Sequence, residues 1–131
     1  MPILPVVRGL YVCERVDVDP VSKNVSLANC FRGLRLADMP SMPQPFYVFA
    51  LLANGLGEMT IRTTINDLDA GPDIFRHTAR IRLTNRLTEL RFKLTIDCLF
   101  PRANSYNISL FVDDELIALT PIVVSRLEDF A

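Results

Sequence analysis

The stretch Phe75–Ile96, "FRHTARIRLTNRLTELRFKLTI", alternates apolar with charged or polar residues on either side of a short polar break. It carries Arg76, Arg80, Arg82, Arg86 and Arg91, with Lys93, the only concentrated charge in the chain. Period-two alternation is the mark of strands with one buried and one solvated face. With Asn85–Arg86 as a two-residue turn, the stretch reads as a hairpin. Leu83 then faces Thr88, Ile81 faces Leu90, Ala79 faces Phe92, His77 faces Leu94 and Phe75 faces Ile96. On the other face Arg82 meets Glu89, Arg80 meets Arg91 and Thr78 meets Lys93. A slip of one residue would mix the two faces, so this register is the one that sorts them. The arginines are first of all the wet side of a sheet.

The same period runs through the rest of the chain, and no long 3.6-residue pattern competes with it. Strands are expected at Val6–Val16, Val25–Leu36, Phe46–Ala53, Glu58–Asn66, Ile74–Leu83, Thr88–Leu99, Ser105–Val112 and Glu115–Val124. Turn chemistry separates them in "DVDPVSKN", "MPSMPQP", "ANGLG", "DLDAGPD", "PRAN" and "DD". In "SYNISLFVDDELIALTPIVV" a tight turn at Asp113–Asp114 would set Leu110 against Ile117 and Ile108 against Leu119. The expected fold is all-β, an antiparallel β-sandwich of seven to eight strands in a single domain spanning 1–131. After Arg126 the tail "LEDFA" is expected to form a helical turn or fray.

Half of the 131 residues are apolar and the net charge is −1. Such a chain buries a real core, and its neutrality argues against a dedicated nucleic-acid binder. "MPILPVVRG" lacks the basic start of a secretion signal, and the longest apolar run, Phe46–Ala53, is far too short to span a bilayer. A soluble cytoplasmic protein is expected, with no membrane partner.

Three cysteines, Cys13, Cys30 and Cys98, with no CxxC pair, read as reduced, buried thiols. A register opposing Tyr11 to Cys30 and Cys13 to Ala28 would make Cys13 and Cys30 diagonal neighbours, wide for a disulfide. His77, the only histidine, is expected to lie half-buried near Leu94. Zinc sites usually bring ligands in close sequence pairs, which this chain lacks. Asp113, Asp114 and Glu115 are contiguous, and no second loop supplies the remaining oxygens of a calcium site. Asp17/Asp19 and Asp67/Asp69 read as turn residues bonding local backbone. No catalytic, metal or cofactor motif is present, so no catalytic residues, metal or cofactor are expected.

Two features suggest a partner. Residues 74–93 carry six Arg or Lys against one Glu, whereas residues 113–131 carry five Asp or Glu against one Arg. Separation of this kind in a neutral chain suggests contact with an acidic surface, including that of a second copy. Met39 and Met42 lie in the proline-rich "ADMPSMPQPF", read either as a crossover between sheets or as a contact loop.

"YVCERVDVDPVSKNVSLANCF", "FYVFALLANGLGEMTIRTTI" and "LFPRANSYNISLFVDDELIALTPIVV" together resemble a family of small, functionally uncharacterised bacterial proteins. Its pattern is a Cys-acidic strand, a Gly-bearing turn, a Ser-Leu strand and a Tyr-containing hairpin tipped by Asp-Gly. Here Asp114 replaces the tip glycine and Ser22 the first-turn glycine. The resemblance implies an immunoglobulin-like sandwich and no known activity, and it carries over no functional residue. The expected function is a non-catalytic protein-interaction or assembly module that self-associates into a homo-oligomer. The alternative is a binder of an anionic ligand or nucleic acid through Arg62, Arg80, Arg82, Arg91 and Lys93. Nucleic acid is disfavoured because Phe75 and Phe92 point inward and leave no stacking platform.

Overall fold

The computed structural model describes residues 2–69 and 71–127. Among them are nine strands: β1 (Val6–Val18), β2 (Val25–Cys30), β3 (Gly33–Leu36), β4 (Gln44–Ala53), β5 (Gly57–Asp67), β6 (Asp73–Leu83), β7 (Leu90–Cys98), β8 (Asn104–Val112) and β9 (Glu115–Arg126). They form a four-stranded sheet in the order β2-β1-β4-β7 and a five-stranded sheet in the order β3-β9-β8-β5-β6. All pairings are antiparallel except β3 with β9. Among the described residues no helix is long and apolar enough to cross a membrane.

The ninth strand appears because the expected strand Val25–Leu36 breaks at Phe31–Arg32. The Phe31 amide donates to the Val12 carbonyl, while the Arg32 carbonyl accepts from the Val123 amide. Adjacent residues thus bond to different sheets, and the chain changes layer there.

The expected hairpin of Phe75–Ile96 is also corrected. β6 pairs with β5 and β7 pairs with β4, so the two strands lie in opposite sheets. Their apolar rows do point inward, with Leu83, Phe92, Leu94 and Ile96 buried and Phe75, Ala79 and Ile81 half-buried. Alternation sets which way a side chain points, and a row of inward groups is satisfied equally by a strand across the core. Residues 84–89 make that crossing. Asn85 turns it, accepting from the Thr88 amide at its carbonyl and from the Leu87 amide at its side chain.

The Asp113–Asp114 turn forms as read, with both residues left-handed at φ 48° and 66°. Two-residue hairpin turns require that conformation, and Asp tolerates it better than most. A bulge between Leu110 and Phe111 then shifts the register by one: Leu110 faces Ala118 and Ile108 faces Thr120, in place of Ile117 and Leu119.

One core fills the space between the sheets. Phe46, Val48, Ala50 and Leu52 of β4 and Phe92, Leu94 and Ile96 of β7 meet Met59, Ile61 and Ile65 of β5 and Tyr106, Ile108, Leu110 and Val112 of β8. At one end aromatic rings run in series, Phe31 to Phe46 (5.8 Å), Phe46 to Phe100 (6.4 Å) and Phe100 to Tyr106 (5.0 Å). Such ring pairs add about 0.5–1.5 kcal/mol each beyond the area they bury. The Tyr106 hydroxyl donates to the Arg102 carbonyl at 2.6 Å and accepts from the Arg102 amide at 3.3 Å, tying the start of β8 to the loop before it.

The proline-rich segment is the crossover from β3 in one sheet to β4 in the other. Buried Ser41 holds it down: its amide donates to the Phe100 carbonyl, and its Oγ accepts from the Phe100 amide. Met39 packs on the core and Met42 is exposed. Leu127 closes the described chain, and the expectation for the tail falls otherwise on residues 128–131, outside the described residues.

Candidate interaction site

The outward faces of the two sheets are built differently. On β1 and β4 the outward residues include Tyr11 opposite Phe49 and Cys13 opposite Tyr47. Phe49 is only 3% exposed although it lies outside the core between the sheets. It is covered by the β1–β2 hairpin, which curls back over its own sheet. Asn24, Val25 and Leu27 of that hairpin line a groove of about 550 Å³ together with Tyr11, Phe49, Leu51, Glu89 and Arg91. The Arg91 guanidinium donates to the Lys23 carbonyl at the hairpin turn. The turn is stiffened by Asp19, whose carboxylate accepts from the Val21 and Ser22 amides and is held below its ordinary pKa by those bonds.

Among the described residues no hairpin lines the outward face of the five-stranded sheet in this way. On β9, Leu116, Leu119 and Val123 are 50%, 48% and 50% exposed, and Pro121 between them is exposed as well. Register places Leu119 beside Ser109, Ser109 beside Thr64, and Thr64 beside Arg76. The face therefore runs from the apolar row of β9, through Ser109 and Thr64, which are buried between their larger neighbours, to the basic edge strand β6.

The five basic residues proposed as one surface are divided between the sheets. Arg62, Arg80 and Arg82 lie on the outward face of the five-stranded sheet, where Arg62 sits beside Thr78, Arg80 beside Thr60 and Arg82 beside Glu58. Arg91 and Lys93 lie on the other sheet, beside Leu51 and Phe49. The expected Arg80–Arg91, Arg82–Glu89 and Thr78–Lys93 pairs do not form, because they assumed that β6 and β7 are neighbours.

The charges are also partly answered within the chain. Arg62 Nη1 donates to Asp114 Oδ1 at 2.6 Å, and its guanidinium lies 4.4 Å from the centre of the Phe111 ring. Asp113 anchors the same corner, its carboxylate accepting from the Thr60 amide and its own amide donating to the Thr60 carbonyl. Arg80 reaches Glu58 at 3.7 Å, and both side chains are exposed, so that pair contributes little. Lys93 Nζ lies 5.1 Å from the centre of the Tyr47 ring. Met39 and Met42 stand apart from both basic groups, in the crossover loop.

Three further residues differ from expectation. His77 keeps its inward parity opposite Thr63 but is exposed, because β6 is an edge strand. Cys30 is exposed, while Cys13 and Cys98 are buried. Burial pushes the Cys98 thiol up to about 11, with the Asp97 charge adding to it. Tyr11 pairs with Phe49, and Cys30 stands directly opposite Cys13.

Sequence reasoning missed a buried carboxylate. Asp67 accepts from the Asp69 amide, as turn residues do, but also from Arg102 Nε (2.6 Å), Arg102 Nη2 (3.0 Å) and Asn104 Nδ2 (2.7 Å). The Arg102 bonds above all hold its carboxyl down at about 2, against an opposing rise from burial. The partners lie 35 and 37 residues away, and no local pattern announces them. Both oxygens of this carboxylate are engaged, Oδ1 by three donors and Oδ2 by one, and they tie loops together. It forms a structural clasp, and among the described residues no three His, Cys, Asp or Glu gather as metal ligands.

Comparison with known proteins gives one family. DUF6941, described as a family of unknown function, matches residues 9–125. No curated protein matches the sequence.

Proposed function

This chain belongs to DUF6941, a family of unknown function, and we propose that it is a non-catalytic, immunoglobulin-like interaction module that self-associates through its five-stranded sheet. The sheet orders support the fold. β1-β4-β7 and β9-β8-β5-β6 correspond to strands A-B-E and G-F-C-C′ of immunoglobulin sandwiches, with β3 alongside β9. The Tyr106–Arg102 bonds at the start of β8 have the form of the tyrosine corner of that architecture. The three unbridged thiols fit a reducing compartment such as the cytoplasm.

The observation that carries the interaction reading is the exposed apolar row Leu116, Leu119, Pro121 and Val123 on the outward face of the five-stranded sheet. A second copy is the fitting occupant because the face carries complementary charges at one end. Exposed Asp114 and Glu115 tip β8–β9, and Arg80 and Arg82 stand on β6 near the same end. A two-fold axis along the strands sets the tip of one copy on the basic edge of the other, and the apolar row on the stems of the arginines.

Sedimentation velocity tests this. The wild type should associate at low salt and less at 1 M, where the Debye length shrinks to about 3 Å. Leu119→Asp should abolish association. Arg80→Glu with Arg82→Glu should weaken it, and adding Glu115→Arg should restore part of it. A wild type that stays monomeric at high concentration and low salt removes the reading. Salt-sensitive binding of a polyanion that is lost in the Arg80/Arg82 variant selects the anionic-ligand alternative.

A further inference from the structure

We propose that Cys13 and Cys30 form an oxidation site, a cross-strand dithiol that a hydroperoxide converts to a disulfide at the root of the β1–β2 hairpin. The two residues are direct partners across the antiparallel pair. The Phe31 amide donates to the Val12 carbonyl on one side of the pair, and Asn29, left-handed at φ 53°, lies on the other side of Cys30. Directly opposed residues of an antiparallel pair have Cα atoms about 4.5–5.5 Å apart, inside the 4.4–6.8 Å that a disulfide spans. Beside them the Asn29 side chain donates to Glu14 Oε2 at 3.0 Å, linking the two strands next to the cysteines.

The two thiols differ in the way a stepwise oxidation needs. Cys30 is exposed and meets the oxidant first; Cys13 is buried beside it. Burial raises the Cys13 pKa, and the charge of Cys30 raises it further, which is how closely placed thiols affect one another. The Cys30 sulfur attacks the O–O bond of the hydroperoxide, giving a sulfenic acid and releasing an alcohol, or water when the oxidant is hydrogen peroxide. The Cys13 sulfur then displaces the hydroxyl as water, and the S–S bond forms. Two thiols and one hydroperoxide become one disulfide, one alcohol and one water. The bridge closes the loop that carries Val25 and Leu27 over Phe49, so it clamps the cover of the four-stranded sheet. Cys98, buried elsewhere, takes no part.

The test is mass spectrometry of the intact protein after mild hydrogen peroxide. A loss of about 2 Da is expected, reversed by dithiothreitol, and thiol counting in denaturant should fall from three to one. Tryptic digestion should join the peptide 9–15 to the peptide 24–32. Cys98→Ser should keep the mass loss and Cys30→Ser should lack it. Since Cys30 is exposed, that serine variant should fold like the wild type, as circular dichroism will show. Addition of oxygen at Cys30 with no intramolecular bridge, a bridge to Cys98, disulfide-linked dimers through Cys30, or a 2-Da loss that persists in Cys30→Ser each overturns the proposal.

Discussion

The two sheets both carry apolar residues on their outward faces, and the most buried of these lie on the four-stranded sheet. On the four-stranded sheet Phe49 and Leu51 line a groove with Val25 and Leu27 of the β1–β2 hairpin, and Phe49 is as buried as a core residue. On the five-stranded sheet Leu116, Leu119 and Val123 remain about half exposed. An outward apolar residue is thus either core to a second, smaller layer or free for a partner, and only the path of a neighbouring loop decides which. Exposed apolar residues in a contiguous row are the informative case, since scattered ones are ordinary.

The sharpest way to break this comparison is to truncate one side chain on each face. Phe49→Ala should cost about 3–5 kcal/mol in urea unfolding, as for a core phenylalanine. Leu119→Ala should change stability by no more than about 0.5 kcal/mol. Equal effects would mean that the hairpin does not cover its sheet. Between these extremes, Tyr106→Phe removes a hydroxyl with two backbone bonds and should cost about 1–3 kcal/mol.

The Asp67 clasp gives a pH dependence on the side of the five-stranded sheet. Its carboxyl titrates near 2 in the folded protein against an ordinary 3.8, so the folded state favours the charged form. That stabilisation is complete above the ordinary value and is lost as pH falls from about 4 to about 2. Thermal melts of Asp67→Asn should show a lower Tm at neutral pH and a flatter decline across that window. An unchanged slope would mean that Asp67 is not clasped by Arg102 in solution. A smaller effect of opposite sign is expected inside the core. Thr63 is fully buried opposite His77, and its Oγ1 has no hydrogen-bond partner among the described residues. Thr63→Val keeps the shape, removes the unpaired hydroxyl and should stabilise the protein by about 1 kcal/mol.

Much of the local structure is legible in the chain. The alternation in Phe75–Ile96 correctly sets Leu83, Phe92, Leu94 and Ile96 inward and the arginines outward, and Asp113–Asp114 does form the tight turn. Asp19 and Asp67 do bond nearby amides. These properties depend on a residue and its immediate neighbours, through the direction of successive side chains and the backbone angles that each residue tolerates. The family match over residues 9–125 fits the resemblance to an uncharacterised family.

Neighbourhood in space was decided only by the tertiary structure. Alternation is the same whether β7 lies beside β6 or across the core from it, so the register of a hairpin that does not exist satisfied every local rule. The choice rests on burying both apolar rows in one core. It then splits Arg62, Arg80 and Arg82 from Arg91 and Lys93, sets Cys13 opposite Cys30, and brings Arg102 to Asp67 across 35 residues. A period-two sequence specifies faces, because side-chain direction is local. It leaves partners open, because hydrophobic burial is non-directional and is satisfied by whichever strands complete the core.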